Sequence, residues 1–176
     1  MRGVKALRAC GAGRLVFALG FCLLSKGASA AFTCGISTPG LSFGSYDVFA
    51  VSSVNGTGTL SVTCSLIPPA NDGNVSYVIS LSTGSSNSFV QRKMFSGANA
   101  LLYNLYTGNT YSVVWGDGTG SSQTVSGTMK LNKFTNPSQT VMQTVYGQIP
   151  ALQDAAVGNV TLGNPYLDNV TATVSF

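Results

Sequence analysis

Four cysteines, five aspartates and a complete lack of histidine and glutamate set the chemistry open to this chain of 176 residues. Without histidine, neither a Ser-His-Asp nor a Cys-His nucleophile pair can form, and a histidine-containing zinc site is excluded. Paired-carboxylate hydrolysis would need two of Asp47, Asp72, Asp117, Asp154 and Asp168, and nothing in their spacing brings two together. Asp117 sits in Trp115-Gly116-Asp117-Gly118-Thr119-Gly120, where a calcium ligand can be imagined. A glycine-rich turn between two strands explains the same residues more simply. Trp115, Tyr103, Tyr106 and Tyr111 could stack on a sugar, but their alternate positions suit core and cross-strand packing better. These residues predict no enzyme, no cofactor and no metal.

What the cysteines do depends on the leader. Arg2, Lys5, Arg8 and Arg14 precede the apolar run Leu15–Leu24, which is too short to span a bilayer. Ala28-Ser29-Ala30 then supplies the small residues of a signal-peptidase site. Residues 1–30 are therefore expected to be a removed signal peptide, and 31–176 one mature domain. Cys10 and Cys22 leave with it, so Cys34 and Cys64 remain as an even pair in an exported chain, which predicts a disulfide. There is no Cys-x-x-Cys to favour redox or metal chemistry. Five of the nine basic residues leave as well, and four cations then face five aspartates. The precursor's charge of +4 becomes slightly negative, so neither nucleic acid nor anionic lipid is an expected partner. Arg92, Lys93, Lys130 and Lys133 are expected to be solvated charges at strand edges. No later apolar run is long enough for a spanning helix, so the product is not expected to be embedded in a membrane.

Alternation of period two positions these residues, and helical spacing is nearly absent. Leu60, Val62 and Cys64 form one inward row; Val75, Tyr77, Ile79 and Leu81 form a second. Leu101, Tyr103 and Leu105 make a third, Tyr111, Val113 and Trp115 a fourth, with Val125, Met129, Val141 and Val145 continuing the pattern. Asn55-Gly56, Pro68–Gly73, Thr83–Ser88, Gly116–Ser122 and Gly158–Pro165 are the expected breaks. Many short strands with one apolar face each predict an all-β, two-sheet sandwich carrying one disulfide.

The last predicted strand carries the functional content. Val170, Ala172, Val174 and Phe176 share one face, opposite Thr171, Thr173 and Ser175. If the sandwich lacks a final strand, an apolar groove stays open beside this segment, and another polypeptide can fill it by strand addition. Leu66-Ile67-Pro68-Pro69 reads either as a hydrophobic adhesive loop or as a strand end turning into surface loop.

A series of short motifs stands in order: Cys34-x-Ile36, Leu41–Asp47, Gly58–Cys64, Leu102–Tyr106, Val114–Gly118, Tyr146–Pro150 and Tyr166-x-Asp168-x-Val170–Phe176. Across essentially the whole mature chain this resembles the spore coat protein U domain family, which includes pilins of the archaic chaperone–usher pathway. The resemblance implies an immunoglobulin-like sandwich lacking its final strand. It also implies three partners: a periplasmic chaperone that lends a strand, an outer-membrane usher, and neighbouring pilin subunits that donate N-terminal extensions. The implied product is a surface fibre serving attachment and biofilm formation. One departure stands out, because a donor strand needs on the order of ten residues. Only Ala31, Phe32 and Thr33 precede Cys34, so a tip-proximal position is expected. A self-associating secreted coat protein and a small surface adhesin domain are the alternatives.

Overall fold

The structure, a computed structural model, describes residues 32–68, 70–155 and 165–176. Among the described residues eight strands run in chain order: β1 Phe32–Ser37, β2 Val54–Leu66, β3 Gly73–Leu81, β4 Arg92–Ser96, β5 Asn99–Tyr106, β6 Val125–Leu131, β7 Ser138–Ile149 and β8 Ala172–Ser175. A 3₁₀ turn, Gly84–Ser86, lies between β3 and β4. One sheet has the order β1-β2-β7-β5-β4 and the other β6-β3-β8, and every pairing between these strands is antiparallel. The expected all-β, two-sheet architecture is what the chain adopts.

Alternation makes this core. Leu60, Val62 and Cys64 of β2, Val75, Tyr77, Ile79 and Leu81 of β3, and Leu101, Tyr103 and Leu105 of β5 are all buried, and Met129, Leu131, Val145 and Ile149 join them. On the outer faces hydroxyls face each other across the ladders, as in Thr63–Thr140 at 2.7 Å and Ser65–Ser138 at 2.8 Å. One apolar and one hydroxylated face is the pattern antiparallel sheets need when only one side is covered. Cys34 pairs directly with Cys64 in the β1–β2 register and is disulfide-bonded to it, with 4.1 Å between the Cα atoms.

Three expectations are corrected. Asn55-Gly56 is not a break: both lie inside β2, and Gly56 and Gly58 face inward where Leu41 and Phe43 need the space. Tyr111–Trp115 is not a strand either. Tyr111 has a φ of 52°, and Val114 and Trp115 form only isolated bridges. Trp115 is nonetheless fully buried, donating its Nε1–H to the Ile79 carbonyl at 3.1 Å. Finally, Arg92 is not solvated. It is 0% exposed, and its guanidinium donates to the carbonyls of Ser82 and Trp115 and to Asn104 Oδ1, at 2.7–3.0 Å. A charge buried this deeply is tolerated because a planar fork meets fixed acceptors on three sides.

Candidate functional site

The two sheets do not close evenly. β8 pairs with β3 through Val78↔Ser175, Ile79↔Val174, Ser80↔Thr173 and Leu81↔Ala172. Its opposite edge carries no strand among the described residues, and β1 is likewise the outermost strand of its own sheet. These two edges approach one another along a seam. The burial pattern marks it. In the neighbouring strands, Leu60, Val62 and Cys64 of β2 and Val75, Tyr77, Ile79 and Leu81 of β3 are between 0% and 4% exposed. The apolar side chains of β1 (Phe32, Cys34, Ile36) and of the last segment (Val170, Ala172, Val174) pack on the core but stay only half-buried. A seam with a floor and, among the described residues, no strand across its top has the shape a further strand would complete.

Past β1 the seam deepens between residues 38–43 and 166–172. A cavity of ≈ 200 Å³ opens there, lined mainly by apolar side chains, among them Leu41, Leu60, Leu81, Met94, Val170 and Ala172. The 38–43 wall lies directly on glycines. A Cβ on Gly58 would stand 3.1 Å from the Gly40 carbonyl oxygen, and one on Gly147 would meet the Phe43 ring at 2.7 Å. Phe43 packs edge-on against Tyr103, with ring centroids 5.8 Å apart.

The opposite wall is fastened by Asp168. One carboxylate oxygen accepts from the Ser85 backbone N–H at 2.8 Å and its hydroxyl at 2.7 Å, and the other accepts from Tyr103 Oη at 2.6 Å. Short bonds to an ionised carboxylate are the stronger kind. Gly84, at φ +64°, leaves the room: any Cβ there would collide with the Asp168 carboxylate. Leu167 exchanges backbone hydrogen bonds with Phe95 of β4 at 2.8 and 3.0 Å, so the segment touches one sheet before joining the other. Burial, followed by the hydrogen bond to Asp168, pushes the Tyr103 phenol well above its ordinary pKa. Desolvation acts on Arg92 in the other direction, lowering it.

Of the residues expected at the acceptor edge, Ala172 and Val174 lie on β8, Val170 just before it, and Phe176 just past it with 59% of its surface exposed. In the suggested adhesive loop, Leu66 ends β2, Ile67 is 45% exposed, Pro68 is exposed, and Pro69 lies outside the described residues. The Leu66 N–H bonds the Pro137 carbonyl at 2.9 Å, which joins this loop to the turn carrying Phe134, itself 86% exposed. Sequence reasoning placed Tyr103 in a core row but foresaw neither its bond to Asp168 nor, for Asp168 and Gly84, any role in fastening this wall. The signal was the presence of the first two within ordered motifs. Among the described residues no three His, Cys, Asp or Glu side chains gather as a metal site, and no helix is long and apolar enough to cross a membrane.

The family model of the spore coat protein U domain matches residues 21–173. The chain belongs to the spore coat protein U domain family. No curated protein sequence matches it. Among solved structures, it is similar to a chaperone–tip adhesion subunit pre-assembly complex, CsuC–CsuE, from the archaic chaperone–usher Csu pili of Acinetobacter baumannii. Identity is 22% and the TM-score 0.47, over 83% of this chain and 40% of that one. This spore coat protein U domain thus spans less than half of the chain it matches there.

Proposed function

We propose that this chain is an exported structural subunit of a chaperone–usher type surface fibre, completed by a strand from another molecule. The observation that carries this reading is the β1–β8 seam, whose apolar side chains are half-buried while the rows Leu60–Cys64 of β2 and Val75–Leu81 of β3 beside them are buried. Family membership supports it, as does the leader-like composition of residues 1–30. On this reading the periplasmic chaperone fills the seam first, the outer-membrane usher exports the subunit, and a neighbouring subunit's strand replaces the chaperone's. Attachment and biofilm formation are the roles of such a fibre. Phe32 and Thr33 are already engaged in the β1 ladder, opposite Leu66 and Ser65, which favours a tip-proximal position for a subunit cleaved after Ala30.

Periplasmic co-expression with and without the cognate chaperone tests the proposal. Expected is soluble 1:1 complex with it, and degradation or aggregation without it. Stable monomer in both cases sinks the reading.

A second role, in adhesion, is favoured by the exposed Ile67 and Phe134, apolar side chains on loops that the Leu66–Pro137 hydrogen bond joins. Loss of surface attachment in Ile67→Ser, with assembly intact, is the expected result. Attachment unchanged by Ile67→Ser and by Phe134→Ser would remove it.

A further inference from the structure

A second site lies on the outward face of the five-stranded sheet, away from the seam. Tyr106 of β5 and Tyr146 of β7 are register partners, and Thr57 of β2 stands on the other side of Tyr146 in the same row. Their chain neighbours Leu105 and Val145 are buried in the core, so by alternation both tyrosines point outward. The ring of Tyr111 stands perpendicular to both, with centroids 5.6 Å from Tyr106 and 6.5 Å from Tyr146, both at interplanar angles of 89°. All three rings are half-buried, so each keeps surface open to solvent.

Tyr111 reaches this position at a cost. Its φ of 52° is in the left-handed region, which a bulky residue rarely occupies. The 107–113 loop enforces it through Thr107 N–H to the Val113 carbonyl at 3.0 Å and Tyr111 N–H to the Gly108 carbonyl at 3.2 Å. A glycine would satisfy that backbone more cheaply, so the ring itself is what the loop delivers.

The surroundings select the ligand's chemistry. Outward side chains of β1, β2, β7 and β5 include no formal charge, and the outward Lys93 of β4 is registered with Leu102, four residues along β5 from Tyr106. Beside the tyrosines stand hydroxyls and amides: Thr57, and Asn55 paired with Gln148 at 3.1 Å. Among the described residues of these four strands, a charged ligand finds no counter-ion beside the tyrosines. A pyranose suits the site, since its ring face is apolar C–H and its rim is hydroxyl.

From these observations we infer that Tyr106, Tyr111 and Tyr146 form a shallow binding platform for a neutral glycan chain, with Thr57, Asn55 and Gln148 meeting its hydroxyls. The site is independent of strand donation: it uses the outer face, not the edge between sheets.

The test is titration of the purified protein, held with its strand donor or chaperone, against soluble hexasaccharides of β-1,4-glucose, β-1,4-N-acetylglucosamine and β-1,3-glucose. Binding is read by calorimetry and by amide shifts. Expected is binding by at least one, insensitive to salt, with shifts confined around Thr57, Tyr106, Tyr111 and Tyr146. Tyr111→Gly removes the ring while relaxing the backbone. It should weaken affinity at least about tenfold without loss of fold, as should Tyr146→Gln, whereas Thr63→Ala on the same face should change nothing. The proposal is overturned if none of the three sugars binds, or if binding survives both tyrosine variants. Self-association through this face, abolished by Tyr146→Gln, would overturn it too.

Discussion

Arg92 and Asp168 are the two charges whose environments matter most, and they act on different parts of the molecule. Arg92 ties the end of β3 to β4 and β5 by donating to Ser82, Trp115 and Asn104, with its Cζ 5.3 Å from the Phe89 ring centroid. Removing it strands several acceptors in the interior. Arg92→Met should therefore cost about 3–5 kcal/mol in denaturant unfolding, and Arg92→Lys should recover little, because an ammonium cannot reproduce the fork. Asp168 instead holds the last segment. Asp168→Asn puts an amide donor where three donors already point, and should cost about 1–3 kcal/mol while loosening amide-exchange protection from Leu167 through β8. The raised Tyr103 phenol also predicts a pH dependence. Above about pH 10 the unfolded chain ionises this tyrosine while the folded chain keeps its proton, so fewer protons are bound unfolded and stability falls as pH rises. Tyr103→Phe should shrink that alkaline decline when unfolding is followed between about pH 8 and 11. None of this was legible beforehand, since an arginine beside a lysine reads as solvated until the chain's three acceptors are brought around it.

Strands were far more legible than the contacts between them. The alternating rows at Leu60–Cys64, Val75–Leu81 and Leu101–Leu105 marked buried faces, because in a half-covered sheet the period of two is imposed by burial itself. Where a different force decided, the pattern misled. Asn55-Gly56 resembles a hairpin turn, yet its glycine is there to admit Leu41 and Phe43. The Tyr111–Trp115 alternation belongs to a loop whose Trp115 is anchored by its indole bond to Ile79 of β3, its N–H bond to Leu105 and the Arg92 bond to its carbonyl. The seam was half legible: Val170, Ala172 and Val174 announced an edge, whereas the cavity between 38–43 and 166–172 depends on two segments far apart in the chain. Since β8 is the short edge, an extra apolar-alternating strand fused after Phe176 through a flexible linker should fill the seam in cis. Such a fusion is expected to raise the thermal midpoint and to give monomer without a chaperone. Val174→Asp, placed on the inward row, should abolish that gain.

Taken together, the sandwich rests on a covalent staple and an uncovered flank. The Cys34–Cys64 bond closes a loop of about 30 residues and should contribute about 3.6 kcal/mol through loss of unfolded-state freedom. Cys34→Ala with Cys64→Ala should lower the denaturation free energy of the strand-completed protein by roughly that amount. The sheet would keep its order, since β2 is still paired with β7 from Val54 to Ser65.

The staple's placement has a mechanical consequence. β1 borders the seam, so a strand seated there would hand any pull along a fibre to β1 first. Hydrogen bonds alone could be peeled from β2 one at a time, but a covalent crosspiece midway along the ladder stops the tear at Cys34 and spreads the tension into the broad β2–β7 pair. A filament built this way would yield by sliding out its inserted strands before its subunits unravelled.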